Sequence, residues 1–310
     1  MDMTEGIDRH QAARRRSAGH STTHLANVII CIAGKGGVGK TTTAVSLAQI
    51  AAEAGLKVIL VDGNVGQADL RTYLRTANSD LPTIYDAAIG RESAIVSPGQ
   101  LNGVRRPEQG DVRFGFVAGP PHDSSVDQYV VTNQDYIKVI QEARQKVDLV
   151  ILDTQILEAR DDSGFVSDVI QPLLMESAFA LGIADMTSPG VKRLNERLLS
   201  LINHGTPRDR IMIMINNVPA DQMVVADNGQ RYFDKLGNFV GAVPTNVAEI
   251  HDVMNAGSVP SNNMDLRNVL TDVLARSTGA DVFNAVPEEP EPATEAKGGL
   301  FSRMFKKKAA

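Results

Sequence analysis

Residues 28–55 carry three signals in an order that few folds accommodate. Val28-Ile29-Ile30-Cys31-Ile32-Ala33 is short, apolar, largely β-branched and uncharged, as a buried parallel strand should be. Thr43 to Ala54, rich in Ala, Leu and Gln and closed by Gly55, reads as a helix with a C-terminal stop. Between them, Gly34 to Thr41 fits the spacing G-x-x-x-x-G-K-[ST]. A polyphosphate needs such a strand, loop and helix. The glycines Gly34, Gly36, Gly37 and Gly39, with Val38 between the last two, let backbone N–H groups turn inward. The helix start at Thr41 and Thr42 adds partial positive charge, Lys40 reaches the β/γ oxygens, and the Thr41 hydroxyl is a Mg²⁺ ligand.

Two further apolar runs end in acids. Lys57 to Asp62 and Val147 to Thr154 each read as buried strands. In open α/β sheets ligands gather beyond the carboxyl ends of strands, which sets Asp62 beside the loop. Asp153, paired with the loop upstream, reads as a contact to Mg²⁺ through water. More strands are expected at Val112–Ala118, Phe179–Ile183, Arg210–Asn217 and Phe239–Pro244. Helices are expected at Asp135–Lys146 and at Val191–Asn203, the latter opened by Thr187-Ser188-Pro189-Gly190. Residues 70–110 read as short helices and loops, with Pro82 near the start of one helix. Residues 25–280 thus alternate strand and helix. This predicts a single α/β domain, a doubly wound and mostly parallel sheet flanked by helices in the manner of P-loop NTPases.

Lys35, directly after the first glycine, is not required by an ordinary phosphate loop. With it, Gly34-Lys35-Gly36-Gly37-Val38-Gly39-Lys40-Thr41-Thr42 resembles the deviant Walker A motif of the ParA/MinD family of ATPases. The resemblance implies ATP and Mg²⁺ as ligands. It also implies a face-to-face homodimer in the ATP state, in which Lys35 reaches the partner's phosphates. The family carries Asp-x-Asp where this chain has Asp62-Gly63-Asn64: the first acid lies near Mg²⁺ and the second orients the attacking water. Asn64 can hold a water but is a negligible base. Slow hydrolysis is therefore expected, with Asp69 in reserve as a carboxylate. Gln155-Ile156-Leu157-Glu158 replaces the family's proline- or glycine-bearing switch. Asn216 and Asn217 resemble the family's base-reading position, and the stretch through Pro244 to Pro260 resembles the segment that encloses the base.

The rest of the chain narrows the class. A hydrophobic fraction of 43% with 22% charge suits a globular core, and a net charge of −6 argues against general nucleic-acid affinity. Cys31, the single cysteine, reads as a small core residue. No apolar run approaches the length of a membrane span, and residues 1–24, with Arg14-Arg15-Arg16, have no apolar segment of a signal peptide. That arm is expected to be solvated and disordered. Residues 281–298, containing Pro287-Glu288-Glu289-Pro290-Glu291-Pro292, read as an acidic linker. Residues 299–310 end the chain. At roughly 100° per residue, Leu300, Phe301, Met304 and Phe305 share an arc of about 140°, with Arg303 and Lys306 on the other side and Lys307 at its edge. This pattern suits a short helix lying in an anionic membrane surface, and it resembles the family's membrane-targeting tails.

The expected protein is an ATP-dependent dimerising switch. It would be cytoplasmic, peripheral on the cytoplasmic face of the membrane, and would position cargo or machinery with an activator or adaptor protein as partner. A nucleoid-binding DNA-segregation ATPase is one rival. A slow or non-hydrolysing scaffold for a pilus, flagellar or secretion system is another, favoured by Asn64. An amide-forming or ligase-type enzyme of the same fold would leave the tail without a purpose.

Overall fold

In the computed structural model, residues 25–64, 70–121, 130–157, 161–227, 229–245 and 247–284 are described. The basic arm, Asp69, Glu158, Asn246 and the whole tail, including Leu300, Phe301, Met304, Phe305, Lys306 and Lys307, lie outside the described residues.

The strands are β1 (Asn27–Ile32), β2 (Val58–Gly63), β3 (Ile95–Val96), β4 (Gly115–Val117), β5 (Leu149–Thr154), β6 (Phe179–Asp185), β7 (Ile211–Val218) and β8 (Asn238–Pro244). They form one eight-stranded sheet in the order β3-β4-β2-β5-β1-β6-β7-β8. Every pairing is parallel except β3 with β4. The main helices are α1 (Lys40–Glu53), α2 (Asn133–Lys146), α3 (Ser188–Asn203), α4 (Val247–Asn255) and α5 (Met264–Thr278).

Continuous apolar strands need cover on both faces, and the alternation along β1 shows how they obtain it. Ile29 and Cys31 point into a core shared with α1 and α5, while Val28, Ile30 and Ile32 point into one shared with α2 and α3. Cys31 is fully buried, and burial pushes its thiol well above the ordinary range. Connections from β1 leave toward β2, and those from β5 leave toward β6, on opposite sides. The carboxyl end of β1 is therefore the crevice where such sheets take ligands.

Three boundaries depart from the sequence expectation. The strand expected over Val112–Ala118 pairs only at Gly115–Val117. The Val112 N–H donates to Asn102 Oδ1 at 3.0 Å and the Arg113 N–H to Gln49 Oε1 at 3.0 Å, so side chains have taken the donors a ladder would use. α2 starts two residues earlier than expected because Thr132 and Asp135 form a capping box, with the Thr132 N–H donating to Asp135 Oδ2 at 3.0 Å. α3 starts at Ser188 rather than Val191. Thr187 is its N-cap, accepting from the Gly190 N–H at 3.2 Å, and Pro189 is tolerated in a first turn whose N–H groups have no helical partner. The two-residue edge strand β3 was not anticipated within residues 70–110.

Among the described residues no helix is long and apolar enough to cross a membrane.

Candidate functional site

The loop between β1 and α1 is shaped by two left-handed glycines. Gly37 has φ +76° and Gly39 φ +88°, conformations that place successive N–H groups on the inside of the turn. Gly39 has a second constraint: a Cβ there would lie 2.3 Å from Asn216 Nδ2. Gly34 is packed against α3, and a Cβ on it would lie 2.7 Å from the Arg193 carbonyl carbon. The loop is thus clamped at both ends, and it borders a cleft of about 720 Å³, in the range of small-ligand sites.

Lys40 opens α1 with its side chain 10% exposed, ion-paired to Asp153 Oδ1. The Thr41 hydroxyl donates to Asp153 Oδ2 at 2.8 Å. Asp62 and Asp153 are register partners on β2 and β5, so two carboxylates stand side by side at the strand ends. Lys40 neutralises Asp153. Asp62 is fully buried; its Oδ1 accepts the Asn64 N–H at 3.1 Å and its Oδ2 has no hydrogen-bond partner among the described residues. Burial, and then the nearby Asp153 charge, push the Asp62 carboxyl up to about 8. An orphaned buried carboxylate oxygen beside a hydroxyl and a second carboxylate is the hard-oxygen donor set a Mg²⁺ ion takes together with phosphate oxygens. The residues present fit that ion.

Lys35 behaves differently from Lys40. Its ammonium donates to Asp185 Oδ2 at 2.6 Å and to Thr187 Oγ1 at 3.4 Å, and its side chain is 34% exposed. Burial alone would raise the Asp185 carboxyl; Lys35 and the Thr187 hydroxyl outweigh it and hold the carboxyl below its ordinary range. Gly190 makes this possible, since a Cβ there would lie 1.9 Å from Asp185 Oδ1.

Asn64 lines the cleft, together with Lys35, Gly36, Gly37, Val38, Gly39, Lys40, Thr41 and Thr42. Asn216 lies at the end of β7 and is 7% exposed; its Nδ2 donates to the Val38 carbonyl at 2.9 Å, so its amide braces the loop. Asn217, with a left-handed φ of 56°, and Pro244, at the end of β8, are not among the residues that line the cleft.

Sequence reasoning gave no site role to Asp185 and Thr187, the partners of Lys35, or to the cleft residues Asp161, Asp162, Ser163, Tyr73 and His251, and it noted Gln155 only as part of the stretch that replaces the family's switch. Asp185 was within reach: an acid ending an apolar strand, the same signal that marked Asp62 and Asp153. Gln155, Asp161, Asp162 and Ser163 carry no such signal, because none of them lies in a helix or strand.

A doubly wound parallel sheet with a phosphate cradle at its crevice and paired strand-end carboxylates defines a P-loop nucleotide-binding protein. Residues 29–299 match the family described as "CobQ/CobB/MinD/ParA nucleotide binding domain". The chain therefore belongs to this family. It is 29% identical to the septum site-determining protein MinD of Thermotoga maritima over 116 residues, covering 36% of this chain and 43% of that protein. It is 26% identical to the antiactivator FleN of Pseudomonas aeruginosa over 230 residues, covering 71% and 74%. The MinD match thus spans less than half of that relative's length. Among solved structures, the Aquifex aeolicus MinC:MinD complex matches at a TM-score of 0.59 with 19% identity, over 86% of this chain and 99% of that one. MinD of Pyrococcus horikoshii complexed with Mg-ADP matches at 0.60 with 18% identity, over 80% and 96%. At these identities the structures support the fold, which agrees with the sheet and helices expected from sequence.

Proposed function

We propose that this chain is an ATP-hydrolysing, ATP-dimerised switch. Lys40 and the Gly36–Thr42 backbone hold the phosphates, and Thr41, Asp62 and Asp153 hold Mg²⁺, whose charge would neutralise oxygens gaining charge in phosphoryl transfer. When a polyphosphate takes Lys40, Asp153 loses its cation and is free to face a metal. By the resemblance, Asn216, Asn217 and Pro244 would belong to the part of the chain that encloses the base. The nucleotide in the Pyrococcus horikoshii structure supports this ligand class.

One observation carries the dimer reading: the loop holds two lysines with separate employments. Lys40 is turned inward to Asp153, while Lys35 is tethered to Asp185 on a more exposed side, unneeded by the cradle of its own chain. Released from Asp185, Lys35 is available to a second molecule's phosphates. Light scattering with ADP and with a slowly hydrolysed ATP analogue tests this. The mass should double in the analogue, Lys35→Ala should stay monomeric while still binding ATP, and Asp185→Asn should dimerise at lower nucleotide concentration. Equal mass in both nucleotides would remove the assignment.

The tail at 299–310 would turn dimerisation into location. A single short helix binds a membrane marginally, whereas two on one dimer gain ~100-fold through effective concentration. The full chain should co-sediment with anionic liposomes more in ATP than in ADP, and Phe301→Asp or Phe305→Asp should release it. Binding indifferent to lipid charge or to either substitution refutes the tail's role. The switch would then serve to place cellular machinery, as the name septum site-determining protein indicates for the MinD relative. The scaffold reading is favoured by one residue, Asn64. The net charge of −6 counts against the DNA-segregation reading.

A further inference from the structure

The cleft wall contains an amide whose orientation its neighbours dictate. Gln155 follows directly on β5, half-buried and bordering the same cleft as Lys40, Thr41 and Asn64. Thr154 anchors this turn, its hydroxyl lying 2.8 Å from the Cys31 carbonyl of β1. Gln155 Nε2 lies 3.3 Å from Ser163 Oγ, and Ser163 Oγ lies 3.1 Å from Asp161 Oδ1. A hydroxyl has one proton. Asp161 is a carboxylate that can only accept, so Ser163 gives its proton to Asp161. Ser163 must then accept from Gln155, as it also accepts the Phe165 N–H at 3.2 Å. Asp161 is itself fixed, its Oδ2 accepting the Ser167 N–H at 2.9 Å. This relay of bonds turns the nitrogen end of the Gln155 amide to the wall. Its carbonyl Oε1 is left with no donor among the described residues.

We propose that Gln155 Oε1 holds the attacking water in this cleft, supplying the orientation that a carboxylate at position 64 would otherwise supply. The inference rests on the ATP-hydrolysing reading above. In the step, the water oxygen forms the new bond to the γ-phosphorus and the bond from that phosphorus to the β–γ bridging oxygen breaks. The electron pair leaves on ADP, and the water's proton passes by way of the phosphate oxygens to solvent, giving ADP, phosphate and H⁺. Gln155 takes no proton; it accepts one hydrogen bond and so aims a lone pair of the water at phosphorus. An amide suffices for aiming and contributes nothing as a base, which gives slow but real turnover.

Single-turnover hydrolysis of Mg·ATP by the full chain tests this, with ATP affinity measured in parallel by titration of a fluorescent nucleotide. Gln155→Leu keeps the size and removes the acceptor; it should lower the rate ~10²-fold while leaving ATP affinity and the melting temperature unchanged. Ser163→Ala removes the hydroxyl that turns the amide and should also lower the rate while leaving ATP affinity unchanged. The inference is overturned if Gln155→Leu turns over at the wild-type rate, if it loses ATP affinity along with rate, or if Ser163→Ala turns over at the wild-type rate. A wild-type chain that binds ATP and never hydrolyses it also overturns the inference. A wild-type chain that fails to bind ATP sinks the nucleotide reading itself, a result distinct from any of these.

Discussion

Replacing Lys40 with alanine should bring Mg·ATP binding below detection. The side chain is 10% exposed and is the one ammonium in the described structure paired with Asp153, at the head of the helix the phosphates would meet. Charge-assisted contacts to phosphate in a partly desolvated site are each worth about 1.5–3 kcal/mol, so the loss amounts to ~10²-fold in affinity or more. A second effect follows from the neighbours. Asp153 and Asp62, 2% and 0% exposed, are register partners, and among the described residues Lys40 is the cation ion-paired with Asp153. Leaving a buried charge unpartnered costs about 3–5 kcal/mol, or forces a carboxyl to stay protonated. Lys40→Ala should therefore also melt earlier in the absence of nucleotide, most markedly as pH rises through the Asp62 value of about 8, where that carboxyl must ionise without the nearby ammonium. Calorimetric titration and thermal melting read the two effects separately. Unchanged ATP affinity would remove the phosphate-cradle assignment.

Asn64→Asp should raise ATP turnover with little change in ATP affinity. Asn64 borders the cleft, and its backbone N–H is fixed by Asp62 Oδ1 at 3.1 Å, so the near-isosteric acid enters without moving the chain. A carboxylate that orients and polarises water contributes ~10²–10⁴-fold over a group that cannot act as a base. The ATP-dependent dimer should become shorter-lived. A wild-type rate equal to that of Asn64→Asp would show that the water held at Gln155 gains nothing from a carboxylate at position 64, and the scaffold reading would lose its main support.

Much of this protein is written in short-range patterns. The strand, loop and helix from Val28 to Gly55, the acids ending β2 and β5, and the alternation of elements through residues 25–280 are all set within a dozen residues of themselves. Apolar periodicity and glycine spacing are local quantities. Even the misplaced boundaries at α2 and α3 had local causes, in the capping box of Thr132 with Asp135 and the Thr187 cap, and a closer reading of those residues recovers them. What each charged side chain in the site touches was not local. Lys35 meets Asp185 across 150 residues, Lys40 meets Asp153 across 113, and Asn216 reaches the Val38 carbonyl across 178. Spacing predicts that two lysines occupy the loop. It does not say that one is tethered outward and the other paired inward, because that depends on β6 lying beside β1 on one side and β5 on the other. Asn216 shows the same limit: its place at the end of a strand was legible, while the approach of that strand to the loop decided that its amide would brace Val38. The order of strands in the sheet brings these distant ends to one crevice, and there the cost of leaving a buried polar group unpaired favours the partners that Lys35, Lys40 and Asn216 take.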